Sequence, residues 1–388
     1  MEIQVHAGTT RPDLVPAFRE ALTCCIDPGG EVGLALAVYA GGKLVVDMWA
    51  GIADVTTGRA VARDTLFPTF SVIKAVTATA LHIQAERELV DIDAPVARYW
   101  PEFAANGKAA MTIRHVLHHR SGVWRMPDGV TVEQMADYRW MVDAVAKLTP
   151  VFPPGTRNGY QSYTFGWVIA EVVRRTDPKK RGFFDFVRDE ILQPLGIGDI
   201  WIGLPASEHL RVARLINAPP RDLPADAPPF LAIPLPVGTR EEIFGRADVR
   251  QACIPGAGGM ATARDMARFF AMLAGGGALD GVRLLSAERV ARFADPRPDW
   301  ETPDDVQGIP VRLGAGFWTG GNTHPANLAR LIGENTRAIG HPGAGGSLAW
   351  ADPDAGLSVS IAHNRMFVPP NAGLDPIRAA ITQCFGLV

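Results

Sequence analysis

Apolar positions along this chain change spacing from one region to the next. Across residues 11–26, Leu14, Ala17, Phe18, Ala21 and Leu22 recur on one side of a helical wheel, which predicts an amphipathic helix. Val32–Tyr39 and Leu44–Ala50 are apolar runs around Ala40-Gly41-Gly42-Lys43, the pattern of a β-hairpin. Ser347–Ala351 and Leu357–His363 repeat that pattern around Asp352-Pro353-Asp354-Ala355-Gly356. Between these hairpins helical spacing dominates. Helices are expected at about 70–88, over Thr112–Leu117 with Thr112 as N-cap, over Thr164–Arg175, over Phe183–Leu192 and over Arg264–Leu273. Asn371–Phe385 fits a closing helix, and residues 275–281 a Gly-rich turn. The stretch 218–240 is rich in proline yet too apolar for a tether, so an ordered pocket wall is expected there.

Strands at both ends and helices in the middle predict an α+β fold. One antiparallel sheet drawn from both ends, flanked by the terminal helices, makes one lobe from residues 1–80 and 315–388, with part of 190–245 joining it. Residues 81–314 make an inserted, mostly helical lobe, and a ligand site falls in the cleft between the two.

The helix near residue 70 is apolar almost all round, which marks it as buried. Pro68 and Thr69 suit a helix start, Thr69 as N-cap. Ser71 and Lys74 then lie one turn apart on one face. A serine hydroxyl becomes a nucleophile when a neighbouring base takes its proton. Burial lowers a lysine pKa from about 10.4 and so makes lysine such a base. The free N–H of Ser71 at the helix start suits an oxyanion. With 8 Ser and 6 Lys in 388 residues, chance placement gives about 0.1 Ser-x-x-Lys pairs. The bland alternative is a buried helix whose lysine reaches out to solvent.

Composition narrows the remaining choices. The chain is 47% hydrophobic and 20% charged, as in ordinary globular domains, and its net charge of −3 lacks any basic block, which argues against nucleic acid as a partner. No stretch is apolar for long enough to cross a bilayer, and the first residues have neither a basic nor an apolar leader segment, so a cytoplasmic location is expected. Cys24, Cys25, Cys253 and Cys384 form no disulfide framework. His115, His118 and His119 lack a carboxylate or cysteine at zinc-ligand spacing, so packing or loop hydrogen bonds are expected of them and no metal. Gly256-Ala257-Gly258-Gly259 lacks the Lys-Ser/Thr ending of a phosphate loop. Gly345-Gly346-Ser347-Leu348-Ala349 lacks both the last glycine and the strand-turn-helix setting of a nucleophile elbow.

Three separated motifs stand in order: Ser71-Val72-Ile73-Lys74, Tyr160-Gln161-Ser162 and His341-Pro342-Gly343. Together they resemble the serine β-lactamase and penicillin-binding-protein superfamily. Leu66-Phe67-Pro68, Ile113–Gly122 and Pro154-Gly155-Thr156 add to the likeness, which spans most of residues 30–365. Within the superfamily the chain is most similar to class C β-lactamase-related esterases, the family VIII carboxylesterases.

The resemblance implies a β-lactamase-like fold and specific roles. Ser71 is then the acylated nucleophile, and Lys74 and Tyr160 the proton-transfer pair. Ser162 is a supporting polar group, and the backbone N–H groups of Ser71 and Ala344 form the oxyanion hole. Tyr163 is the nearest rival to Tyr160. His341 stands where penicillin-recognising relatives carry a lysine, and Gly343 closes its motif. A neutral imidazole favours uncharged esters over carboxylate-bearing lactams. Trp124, Phe230, Trp318 and Trp350 are candidate pocket walls by size and proximity to the motifs. The expectation is a serine esterase acting on small esters, short acyl chains first, without metal or organic cofactor. The rivals are a β-lactamase, D-amino-acid peptidase or acyltransferase of the same mechanism, and a non-enzymatic ligand-binding relative. Oligomeric state is not legible.

Overall fold

The computed structural model describes residues 2–26, 29–220, 222–368 and 373–387. Its main sheet runs in the order Gln4–Val5, Lys43–Asp54, Gly33–Ala40, Leu357–His363, Leu348–Asp352, Ile339–Pro342, Trp318–Thr319, every neighbouring pair antiparallel. Strands from the two ends of the chain therefore meet in its middle, where Val38 pairs with Val359 and Ala37 with Ser360.

The two faces of this sheet differ in side-chain size. One face carries Leu34, Leu36, Val38, Leu348, Trp350, Val359 and Ile361, in one core with Phe18 and Leu22 of the helix Val15–Ile26 and Ile377 and Ile381 of the helix Asp375–Phe385. The other carries Ala35, Ala37, Ala349, Ala351 and Ala362. Small side chains let a helix come close, and the helix Ala263–Ala274 packs there, with the Ser358 hydroxyl donating to the Ala267 carbonyl at 2.8 Å. That helix lies inside the stretch 81–314 expected to be a separate helical lobe, yet its partner is the sheet. Register places Ala37, Ser360, Ala349 and His341 side by side, so His341 faces the interior on the alanine side.

The helix Ile73–Glu86 runs through the centre of the molecule and is buried from Ile73 to Ala85. Its start differs from expectation. Phe67–Phe70 is a strand of a small three-stranded sheet with Gly259–Ala261 and Ile200–Ile202. Pro68 and Thr69 therefore belong to an extended segment, and Val72 is the N-cap without any side-chain cap bond. The pairing with Gly259–Ala261 overrides the capping preference of Thr69, whose hydroxyl has no partner among the described residues. The chain turns sharply from strand into helix at Phe70, held at φ +46 with its ring edge-on to Phe244 at 5.0 Å. A bulky residue at positive φ is a genuine outlier.

Thr112 does cap the helix Ile113–Leu117, accepting from the His115 N–H while His115 accepts from the Thr112 N–H. His115 is thus the second half of a capping box. Asn371 and Ala372, expected to open the closing helix, lie outside the described residues; that helix runs over Asp375–Phe385. Among the described residues no helix is long and apolar enough to cross a membrane.

The serine helix is pressed on one side by the helix Thr164–Thr176. That second helix meets the loop 254–258 at Gly166, where an added Cβ would lie 2.0 Å from the Gly256 nitrogen. Gly166→Ala is expected to destabilise the protein by about 2–4 kcal/mol, as overpacking against fixed backbone does. Urea unfolding measures it.

Candidate active site

Lys74 is fully buried, and its ammonium position is defined by three oxygens. Nζ lies 2.8 Å from Ser71 Oγ, 2.6 Å from the Ser162 carbonyl and 2.6 Å from the Gly256 carbonyl. Desolvation holds its pKa well below the ordinary lysine value. A neutral amine has two N–H groups and one lone pair. The two carbonyls can only accept, so they take both N–H groups and leave the lone pair to the Ser71 hydroxyl.

Tyr160 approaches the same serine from the opposite end of the site. A side-chain hydrogen bond joins it to Ser71, and Lys74 Nζ lies 5.2 Å from the centre of its ring. Burial raises the Tyr160 pKa above the usual phenol value, the hydrogen bond to Ser71 opposes this, and the nearby Asp304 carboxylate adds to it. The phenol is therefore a proton donor at neutral pH. Tyr163, its sequence rival, is fully buried and spends its hydroxyl on the Val237 carbonyl at 2.9 Å.

Ser162 contributes in two ways: its carbonyl holds Lys74, and the residue lines the cavity in front of Ser71. Gly343 brings the third motif against the nucleophile turn, since a Cβ there would lie 2.4 Å from the Thr69 carbonyl. Ala344 follows at the cavity wall. Neither the Ser71 nor the Ala344 amide has a backbone acceptor among the described residues. Two such donors at the mouth of a nucleophile are what an oxyanion needs.

His341 sits behind this wall rather than in it. It is fully buried, and its Nδ1 donates to the Pro342 carbonyl at 2.7 Å, which fixes the proton on Nδ1. Burial, with Lys74 acting in the same direction, keeps its pKa well below that of a free imidazole.

The cavity has a volume of about 360 Å³, and Phe230 and Trp318 line it. Trp124 and Trp350 do not. Trp350 lies on the large-residue face of the sheet, 2% exposed, and Trp124 packs beside Gly159 at 4%. Size and proximity in sequence do not say which face of an element an aromatic occupies.

Of two supporting residues, His119 takes the packing and loop hydrogen-bonding role expected of it, and Asp304 carried no sequence signal. His119 stacks between Tyr160 (4.6 Å) and Phe165 (4.9 Å), and its Nδ1 accepts from the Gln161 N–H at 2.9 Å. Burial holds it neutral, and among the described residues no metal-binding cluster exists. Asp304 is the second. Its Oδ1 accepts from the N–H groups of Tyr160, Val306 and Gln307 at 3.0–3.1 Å, while Oδ2 meets Arg297 at 2.9 Å in an ion pair with no exposure on either side. One carboxylate thus ties the tyrosine backbone to the cavity wall at Val306 and Gln307. Only the folded contact, 144 residues apart in sequence, identifies it.

Comparison with known proteins follows from this geometry. The Beta-lactamase family model matches residues 18–383. The esterase/beta-lactamase LipL of Mycobacterium tuberculosis is 34% identical over 352 residues, covering 87% of this chain and 78% of its own. A solved family VIII carboxylesterase superposes with a TM-score of 0.88 at 33% identity, covering 99% of this chain and 100% of its own. A penicillin-binding-protein homolog from Caulobacter crescentus superposes at 0.87 with 31% identity and the same coverage.

Asp304→Ala is expected to cost about 3–5 kcal/mol, because it leaves Arg297 buried without its partner. It should also lower kcat more than it raises KM, through the loosened Tyr160. Asp304→Asn, which keeps an oxygen for the three N–H groups, should recover part of kcat. Denaturant unfolding and steady-state kinetics check both.

Proposed function

The chain belongs to the Beta-lactamase family, and from that premise we propose that it is a serine hydrolase that cleaves carboxylic esters through an acyl-enzyme on Ser71. The observation that carries this reading is the buried amine of Lys74, whose two N–H groups are committed to carbonyls and whose lone pair meets Ser71 Oγ at 2.8 Å. Named esterase relatives at 33–34% identity support the ester as substrate.

In the proposed reaction Ser71 Oγ attacks the ester carbonyl carbon while its proton passes to Lys74 Nζ. The Ser71 and Ala344 amides hold the oxyanion. Tyr160 gives its proton to the departing alkoxide, so the alcohol leaves neutral, and the resulting phenolate is balanced by the ammonium beside it. The proton held by Lys74 then restores the phenol. Water takes the place of the alcohol, gives up a proton to the same pair as it attacks the acyl carbon, and the pair returns that proton to Ser71 Oγ as the acyl bond breaks, releasing the acid and restoring the neutral amine. The two groups titrate together, so their apparent pKa values belong to the pair rather than to either residue.

The same acyl-enzyme would serve a lactam or an amide. Against a lactam, His341 replaces a permanent cation with a buried, neutral imidazole that does not line the cavity. A substrate carboxylate would find no charge there to meet it.

With p-nitrophenyl butyrate as substrate, Ser71→Ala and Lys74→Met are each expected to lower kcat by about 10³-fold or more. A fluorophosphonate should add once to the wild type and not to Ser71→Ala, by intact mass; absence of the adduct on the wild type would sink the reading in favour of a non-catalytic binding protein. The pH dependence has a definite sign. Lys74 accepts a proton only when neutral, and burial places its pKa below the usual 10.5. kcat/KM is therefore retained above that lowered pKa and falls as pH drops through it. A kcat/KM that rises as pH falls, with folded structure kept, would contradict this.

A further inference from the structure

The walls of the cavity restrict what can sit beside Ser71. Its apolar lining comes from three separate stretches: Phe230 and Ile233 from the proline-rich segment, Ile309 and Leu328 from the region before Ile339–Pro342, and Met366 and Phe367 after the last strand. Of the six further polar residues in the wall, Asn217, Asn327 and Arg330 are already engaged. Asn217 donates to Glu242 and accepts from the Glu241 N–H. Asn327 donates to Asn322 and accepts from the Ala329 N–H. Arg330 is paired with Asp375 at 2.7 Å. Arg240 donates to the Leu235 carbonyl and is exposed, as is Gln307, so both belong to the mouth. Apart from Thr239 and the exposed Gln307, the hydrogen-bonding groups that face a substrate lie at the catalytic end, in Ser71, Tyr160, Ser162 and the amide of Ala344.

Volume gives the second constraint. A cavity of about 150 Å³ lined by aliphatic and aromatic side chains already holds a benzene ring. This one has about 360 Å³. An acetyl or butyryl group on Ser71 leaves most of it to water, against apolar walls that gain from displacing that water.

Resting on the ester-hydrolase reading above, we propose that the substrate is an uncharged ester carrying an apolar body about twice the bulk of a benzene ring, recognised by shape and burial rather than by polar contacts. Each methylene moved from water to such a wall favours binding by up to about fourfold, the saturating effect of one buried CH₂. A carboxylate on that body would meet Arg330 already paired with Asp375, while Arg240 stands exposed at the mouth.

The experiment compares p-nitrophenyl acetate, butyrate and octanoate with the p-nitrophenyl monoester of octanedioic acid. kcat/KM is expected to rise at least tenfold from acetate to octanoate and to fall at least tenfold from octanoate to the acid-tailed ester. Ile233→Trp, which fills the apolar end, should lower the octanoate-to-acetate ratio at least fivefold. The highest kcat/KM with acetate, or equal turnover of the acid-tailed ester, overturns this proposal while leaving ester hydrolysis standing. No turnover of any ester, together with no fluorophosphonate adduct on Ser71, overturns the ester-hydrolase reading itself.

Discussion

A lysine side chain is kept entirely out of water without a carboxylate to pair with, and the rest of the site follows from that constraint. Burying an ammonium alone is costly, so the group sheds its proton instead. Three oxygens then have to stand where a tetrahedral nitrogen can use them. One comes from Ser71 in the turn just before the same helix, one from the tyrosine loop and one from the glycine-rich loop at 256. The close backbone contacts at Gly166 and Gly343 serve that arrangement, since either loop displaced by a methyl group would carry its oxygen or amide away.

The sheet supplies the rigid floor. Its alanine face admits a helix at short range, and its heavy face is sealed by the terminal helices. The strand Ile339–Pro342 is thereby fixed in register against Leu348–Asp352 and delivers Gly343 and Ala344 to the turn that carries Ser71. That turn is itself under backbone strain at Phe70, held in place by the ladder before it and the aromatic contact with Phe244. Strain of this kind persists where the surroundings over-determine it.

What was legible in the sequence has a physical pattern. The two hairpins, the buried helix and the Thr112 cap depend on local spacing, and the structure contains them. Ser71 and Lys74 were readable because three residues of helix suffice to bring them together. Tyr160 needed a family resemblance, because nothing local distinguishes it from Tyr163. Asp304 and Arg297 were invisible, since the bond from Tyr160 to Asp304 exists only once distant segments meet, whereas His119 was expected to pack or to hydrogen-bond in its loop and does both. Thr69 misled because its capping preference, worth about 1 kcal/mol, competes with a strand pairing it cannot see. Trp124 and Trp350 misled because bulk alone does not reveal the side of the sheet or loop a ring will take.

The oxygen cage around Lys74 has one more property. In the proposed reaction the nitrogen, after accepting the serine proton, would carry three N–H groups in place of two, with the same three oxygens as acceptors, two of them carbonyls bonded before the transfer. The charged and uncharged forms fit one set of coordinates. The proposed transfer between Ser71 and Lys74 would then need no new acceptor, and charge would pass through a socket that stays still.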